Sequence, residues 1–290
     1  MMKLRNLGIL LVAALLTVSV SSCKNSGKKK ERSKDKKEVS IFYPNWSEGI
    51  AFTYLSKAAL EAHGFKVDLT NLAPGMIYGE LSKKDSKGDV FLDAWLPNTH
   101  KDYWASYGDD LVKLGESFSE GTTGLVVPAY VTINSIEELN ANKDKFDGEI
   151  IGIGAGAGIH ANTLKAIDEY KLDFEQITSS GPAMVASLEK AIKKQEWVVV
   201  TGWKPHFKWT KNDLKYLEDP KGIYPQDACT IISRKGFAQD KPEAATFFKN
   251  FKLEEAQLYE LMTAIKDNGE EAGATKWYKA NKVLVDSWMK

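Results

Sequence analysis

The chain has 290 residues, 39 Lys+Arg against 39 Asp+Glu, a formal net charge of +0 and two cysteines. So few cysteines exclude a disulfide-built scaffold. With 43% hydrophobic residues the chain can bury a sizeable core, so its stability must come from packing.

The N-terminus reads as a delivery signal. Lys3 and Arg5 precede an apolar run from Leu7 to Val20, followed by Ser21-Ser22-Cys23. Residues 1–22 are therefore expected to be a secretory signal peptide, too short and one-sided for a membrane span. Small residues before a single cysteine resemble a lipobox, which makes Cys23 the expected lipidation site. The mature chain would then be lipid-anchored in the cell envelope, in the periplasm or on the outer face of the cell membrane, where nucleic acid is not an expected partner. Residues 23–38 form a charged linker, with eight basic and three acidic residues after Cys23 and nothing to bury. Without the ten basic and three acidic residues that precede Val39, 29 basic and 36 acidic residues remain, a net of −7.

From Val39 strands and helices alternate. Val39–Tyr43 reads as a strand, Gly49–His63 as a helix closed by Gly64, Lys66–Leu69 as a strand, and Pro74 opens a helix to about Ser82. Lys83–Gly88 reads as a loop and Val90–Ala94 as a strand that stops at Trp95. Further on, Leu125–Pro128 is an apolar run, and Ser135-Ile136-Glu137-Glu138 has the capping-box spacing of a helix start. Ile150–Ile153 is a strand before a glycine-rich turn, helices cover about His160–Tyr170 and Ala183–Lys194, and the apolar strand Trp197–Val200 ends at Gly202-Trp203. The last third reads as helical: Asp240 is the expected cap before Pro242, and Phe247, Phe248, Phe251, Trp277, Tyr278, Val283, Val285 and Trp288 are expected on apolar faces.

Apolar strands separated by helices indicate parallel sheets covered on both faces. Two such blocks with a helical return predict an α/β fold of two lobes: residues 39–127 plus 235–290 form lobe 1 and residues 128–234 lobe 2. Leu125–Thr132 and Thr230–Arg234 are the expected crossings. Ligands of open α/β sheets sit at the carboxyl ends of strands, here the interlobe cleft.

Three tryptophans follow apolar strand-like runs: Trp46 in Tyr43-Pro44-Asn45-Trp46, Trp95 in Asp93-Ala94-Trp95-Leu96-Pro97-Asn98-Thr99-His100, and Trp203 in Gly202-Trp203-Lys204-Pro205-His206. If the rings converge on one cleft, their faces suit a cation without hydrogen-bond donors, a quaternary ammonium above all. The segment from Gly152 to His160 offers small residues and main-chain N–H groups before a helix, which suits an anion. Gly152-x-Gly154-x-x-Ala157 also fits a dinucleotide fingerprint, a weak signal in an exported chain. No cofactor or metal is expected. Cys229, in a strand-like run, reads as a buried, inert thiol. His206, Trp104, Trp197 and Trp209 read as structural.

The motifs around Trp95 and Trp203, with Gly124–Pro128, Asn134–Leu139, Leu214–Pro220 and Ser233–Phe237, resemble the glycine betaine and proline betaine substrate-binding lipoproteins of ABC importers, the OpuAC-like family, over most of residues 39–290. The resemblance implies a two-lobed, type II periplasmic-binding-protein fold that closes on its ligand. It implies a prism of Trp46, Trp95 and Trp203 around the trimethylammonium head, with the amides of Gly158 and Ile159 and the side chain of His100 holding the carboxylate. It further implies a monomeric receptor that hands glycine betaine, proline betaine or carnitine to a membrane permease without covalent chemistry. A choline receptor and an envelope choline-ester hydrolase are the alternatives. For the hydrolase, Asp93 and His100 stand near each other, but no serine completes a triad and no nucleophile elbow or HExxH is present.

Overall fold

The computed structural model describes residues 37–290; the expected signal peptide, Cys23 and nearly all of the linker lie outside the described residues. The first βα units follow the sequence pattern closely. β1 (Glu38–Tyr43) and β2 (Lys66–Asn71) pair in parallel through α1 (Ser47–Ala62), and α2 (Pro74–Leu81) leads to β3 (Val90–Leu96). β3 runs on through Trp95 and Leu96 and every one of its residues is buried, so this tryptophan stands in a strand and not in a loop. α3 (Lys101–Tyr107), which the sequence pattern did not suggest, then turns the chain into β4 (Leu111–Pro128).

β4 joins the two halves. Its residues Leu111–Gly121 pair with β9 (Asp227–Arg234), and Thr122–Val126 pair with β7 (Val200–Lys204). The first sheet runs β2-β1-β3-β9-β4. The second adds β5 (Glu149–Ile151) and β6 (Glu175–Ile177) beyond β7, in the order β4-β7-β5-β6, with β8 (Leu214–Tyr216) beside β4. Since β9 pairs with β3 and β4, Thr230–Arg234 runs inside the first sheet and not between the sheets. On this pairing we draw lobe 1 as residues 37–121 plus 227–290 and lobe 2 as 122–226.

In the second lobe α4 (Gly158–Glu169) and α5 (Gly181–Lys194) alternate with the strands, and α6 (Lys208–Lys211) follows β7. The capping box at Ser135 is present, Glu138 accepting the main-chain N–H of Ser135 at 2.9 Å, but it opens short 3-10 turns in place of an α-helix. β7 contains Trp203, which therefore also belongs to a strand.

The tail is helical: α7 (Phe237–Asp240), α8 (Pro242–Asn250), α9 (Glu255–Asn268), α10 (Glu270–Ala280) and α11 (Lys282–Ser287). Asp240 ends α7 and does not cap α8, whose N-cap position is Lys241. The tail packs on α1 through apolar side chains: Phe52 meets Phe251 edge-on at 6.0 Å between ring centroids, and Phe251 meets Trp288 at 4.8 Å. Val283, expected on an apolar face, is 89% exposed, because α11 buries Val285 instead.

Beneath the first sheet lies a buried ion cluster. Asp89 accepts hydrogen bonds from Arg234 Nε and from Lys241 Nζ, each at 2.8 Å, and from the main-chain N–H of Ser40 at 3.0 Å. It joins β1, the entry to β3, β9 and the start of the tail at one point, and all three charged residues are nearly inaccessible to solvent.

Candidate functional site

The six expected site residues, Trp46, Trp95, His100, Gly158, Ile159 and Trp203, line one cavity, together with Glu48, Thr99, Thr123, Ile153 and Ala157. Lobe 1 supplies Trp46 at the N-cap of α1, Trp95 near the end of β3, and His100 at the N-cap of α3. Lobe 2 supplies Trp203 from β7, and Gly158 and Ile159 from the first turn of α4. Main-chain geometry at strand ends and helix starts thus brings together residues that are distant in sequence.

The rings are fixed by polar anchors. Trp95 donates its indole N–H to Asp93 at 2.9 Å, and Trp203 donates its own to Glu48 at 2.9 Å. A carboxyl oxygen that accepts the indole N–H holds each ring in a fixed orientation and leaves its face free for a cation. Gly121 packs against the Trp95 ring so closely that a Cβ would come within 2.9 Å of it. Trp46 lies beside His100, with ring centroids 5.9 Å apart. Both tryptophan strands continue into cis peptide bonds, Leu96-Pro97 and Lys204-Pro205.

The tautomer of His100 follows from its contacts. Nδ1 accepts the main-chain N–H of Trp95 at 3.0 Å, and the main-chain N–H of His100 returns to Trp95 O at 2.8 Å. The ring proton therefore sits on Nε2, which is buried and has no hydrogen-bond partner among the described residues. Burial alone lowers the imidazole to about 3, so His100 is a neutral N–H donor across the physiological range. The loop that carries it is pinned by Asp227, which accepts the main-chain N–H groups of Asn98 at 2.6 Å and Thr99 at 2.9 Å and the Thr99 hydroxyl at 2.6 Å.

Across the cavity, Gly158 and Ile159 occupy the first two positions of α4, where main-chain N–H groups have no intrahelical acceptor and the helix end is positive. Gly158 also has no room for a side chain, since a Cβ would lie 2.0 Å from Thr99 O of the facing lobe. Tyr103 on α3 donates to Gly156 O at 2.8 Å and closes the same seam.

Beneath the rings lies a set of buried ionisable groups. Burial raises the Glu48 carboxyl to about 7, against the lowering effects of its Trp203 hydrogen bond and of Lys208. Burial and the nearby Glu48 push Asp93 well above the carboxylate range, while burial lowers Lys208 to about 7, with Glu48 opposing. Lys208 Nζ lies 4.3 Å from the Trp203 ring centroid and donates to Trp203 O at 3.1 Å. Cys229 is fully buried beside Asp93, its thiol raised well above the ordinary range by burial.

Several residues escaped the sequence reading. Glu48 looks like an ordinary acidic residue in a first helical turn, and only its spacing two positions after Trp46 could have drawn notice. Asp227 and Thr123 carry no local signal, because their neighbours in space come from other strands. His206 accepts the main-chain N–H of Lys208 at 3.0 Å, and Trp209 donates to Trp203 O at 2.8 Å, so both support the loop behind Trp203.

Two α/β lobes that share a long strand and face each other across a cavity walled by three tryptophans define a two-lobed solute-binding protein of the type II periplasmic class. Residues 37–280 match the family described as the substrate binding domain of ABC-type glycine betaine transport systems, and the chain belongs to that family. It is 43% identical over 145 residues to GbuC, the glycine betaine/carnitine transport binding protein of Listeria monocytogenes serotype 1/2a (strain 10403S), a match covering 48% of each chain. The chain thus spans about half the length of that curated relative in the matched region. Among solved structures it is similar to the glycine/betaine/L-proline-binding protein ProX from Borrelia burgdorferi, with 32% identity over 87% of this chain and 96% of that one and a TM-score of 0.83. It is also similar to lactococcal OpuAC in its closed conformation with glycine betaine, with 35% identity, 88% and 100% coverage and a TM-score of 0.82. Among the described residues no helix is long and apolar enough to cross a membrane.

Proposed function

We propose that this chain binds glycine betaine, or a close relative such as proline betaine or carnitine, in the cavity between its lobes and presents it to a membrane ABC permease. Trp46, Trp95 and Trp203 surround the trimethylammonium head, and His100 Nε2–H with the amides of Gly158 and Ile159 holds the carboxylate. The chain acts as a monomer tethered through Cys23 outside the cytoplasm. The observation that carries this reading is that one cavity is lined by three tryptophans, by His100, whose Nε2 has no partner among the described residues, and by Gly158 and Ile159 in the first turn of α4. Each ring face attracts a cation by roughly 0.5–2 kcal/mol, so three supply several kcal/mol without an ion pair. The donors then add selectivity for the anionic end.

Choline is the second reading, favoured by one observation: Glu48 lines the cavity with Oε1 unpartnered among the described residues, an acceptor suited to a ligand of net positive charge. A hydrolytic role has less support. Asp93 is bonded to an indole and His100 Nδ1 to a main-chain N–H, which leaves His100 neither a carboxylate partner nor a free basic nitrogen. Parallel titrations of intrinsic tryptophan fluorescence with glycine betaine and choline decide between the readings. Tighter binding of glycine betaine supports the carboxylate assignment, tighter binding of choline transfers the site to the second reading, and no response to either ligand rejects both.

A further inference from the structure

We propose that Thr123 determines specificity in this cavity by donating its hydroxyl to the carboxylate end of the ligand, an inference that rests on the betaine reading above. Thr123 on β4 stands directly opposite Trp203 on β7 in the antiparallel register, so the two side chains leave the same face of the sheet, and both line the cavity. The residue is 8% exposed, and its Oγ1 has no hydrogen-bond partner among the described residues. Its neighbour Thr122 points to the other face and lies 3.2 Å from the Tyr216 hydroxyl, and the buried Thr163 donates to Ile159 O at 2.8 Å. Thr201 on β7 is similarly unpartnered but does not line the cavity.

An aliphatic β-branched residue would serve the strand as well and would avoid the cost of an unpaired buried hydroxyl. The hydroxyl therefore needs a use. A trimethylammonium head offers no conventional donor or acceptor, so the part of the ligand that can accept from a hydroxyl in this cavity is its polar end. The other polar atoms of the cavity divide by chemistry. Glu48 Oε1, unpartnered among the described residues, is an acceptor and suits the cation, whereas His100 Nε2–H and the Gly158 and Ile159 amides only donate. Thr123 O–H makes a fourth donor, matching the roughly four lone-pair sites of a carboxylate. The geometry allows convergence, since α4, which carries the two amides, packs against both β4 and β7. Choline would bring a hydroxyl to this end and leave most of these donors unmatched.

The test is a calorimetric titration of the wild-type protein, Thr123→Val and Thr123→Ser with glycine betaine and with choline. Valine keeps the branched shape and removes the hydroxyl, and serine restores it. The expected result is a loss of about ten-fold or more in glycine betaine affinity for Thr123→Val, the size of one hydrogen bond to a charged group, with a smaller change for choline and recovery in Thr123→Ser. Unchanged glycine betaine binding in Thr123→Val overturns the role of Thr123 alone. Equal losses in the valine and serine variants overturn it too, since shape and not the hydroxyl would then matter. A wild-type protein that binds neither ligand overturns the betaine reading itself.

Discussion

Trp95 is held at both ends, through its main-chain N–H on His100 and its indole N–H on Asp93, so one residue ties together the proposed cation wall and the proposed carboxylate donor. Trp95→Ala is therefore expected to remove a wall and loosen His100 together, lowering glycine betaine affinity by about 100-fold or more, as read by calorimetry. Trp95→Phe keeps a ring but loses the Asp93 bond and is expected to lose about ten-fold. Glu48 gives a pH signature. Its carboxyl is raised to about 7 in the folded protein, so the folded state binds more protons than the unfolded state between the ordinary value of 4.5 and about 7. Stability from this group is fully present below 4.5 and lost as pH rises through 7. Lys208, lowered to about 7, acts in the opposite sense, its penalty disappearing as pH rises from about 7 toward 10.5. Urea melts of ligand-free Glu48→Gln should show the wild type losing stability relative to the variant between about pH 4.5 and 7. A constant difference across that range would remove Glu48 from the titrating groups.

At the scale of elements, β4 shows what sequence pattern conveys and what it hides. Its second half, Leu125–Pro128, is an unbroken apolar run because both faces are covered, and it stood out at once. Its first half, Leu111–Gly121, has no period, because the ladder with β9 shifts register between Lys113 and Gly115, Glu116 and Phe118, and Phe118 and Gly121, and each bulge resets which side chains face inward. The same limit applied to the site. The three tryptophans stood out because such residues beside strand ends have few structural uses, and His100 through the resemblance of its motif, whereas Glu48, Thr123 and Asp227 acquire meaning only through partners on other elements. The sequence pattern stopped the strands at Trp95 and at Gly202-Trp203, yet both strands run on through the tryptophan, to Leu96 and to Lys204, before they turn. The Asp89 cluster is another case, joining elements that no local pattern connects. Asp89→Asn would leave Lys241 buried without its counter-charge and Arg234 with Asp240 as its remaining carboxylate partner at 2.8 Å, and is expected to destabilise the protein by about 3–5 kcal/mol in chemical denaturation. A loss under about 1 kcal/mol would mean that the cluster is solvated and not structural.

For the whole molecule, the contacts that seal the cavity run from one lobe to the other: Trp203 to Glu48, Tyr103 to Gly156, and the main chain of Gly158 against that of Thr99. The apposition of Gly158 and Thr99 leaves no space for a methyl group, so Gly158→Ala should hold the lobes apart while each lobe stays folded. Small-angle X-ray scattering with saturating glycine betaine is expected to give a larger radius of gyration for Gly158→Ala than for the wild type, and equal radii would show that closure tolerates the added atom. On the proposed reading, closure would also remove the ligand cation from water, strengthen its attraction to the rings and make the closed form depend on the ligand. The central claim, that one cavity holds both ends of a betaine, is tested most directly by calorimetric titration of the wild-type protein with glycine betaine, repeated with Trp95→Ala and His100→Ala. Saturable one-to-one binding that Trp95→Ala abolishes and His100→Ala weakens is the predicted result. Wild-type binding that survives both substitutions unchanged would contradict the account, because the ligand would then sit elsewhere.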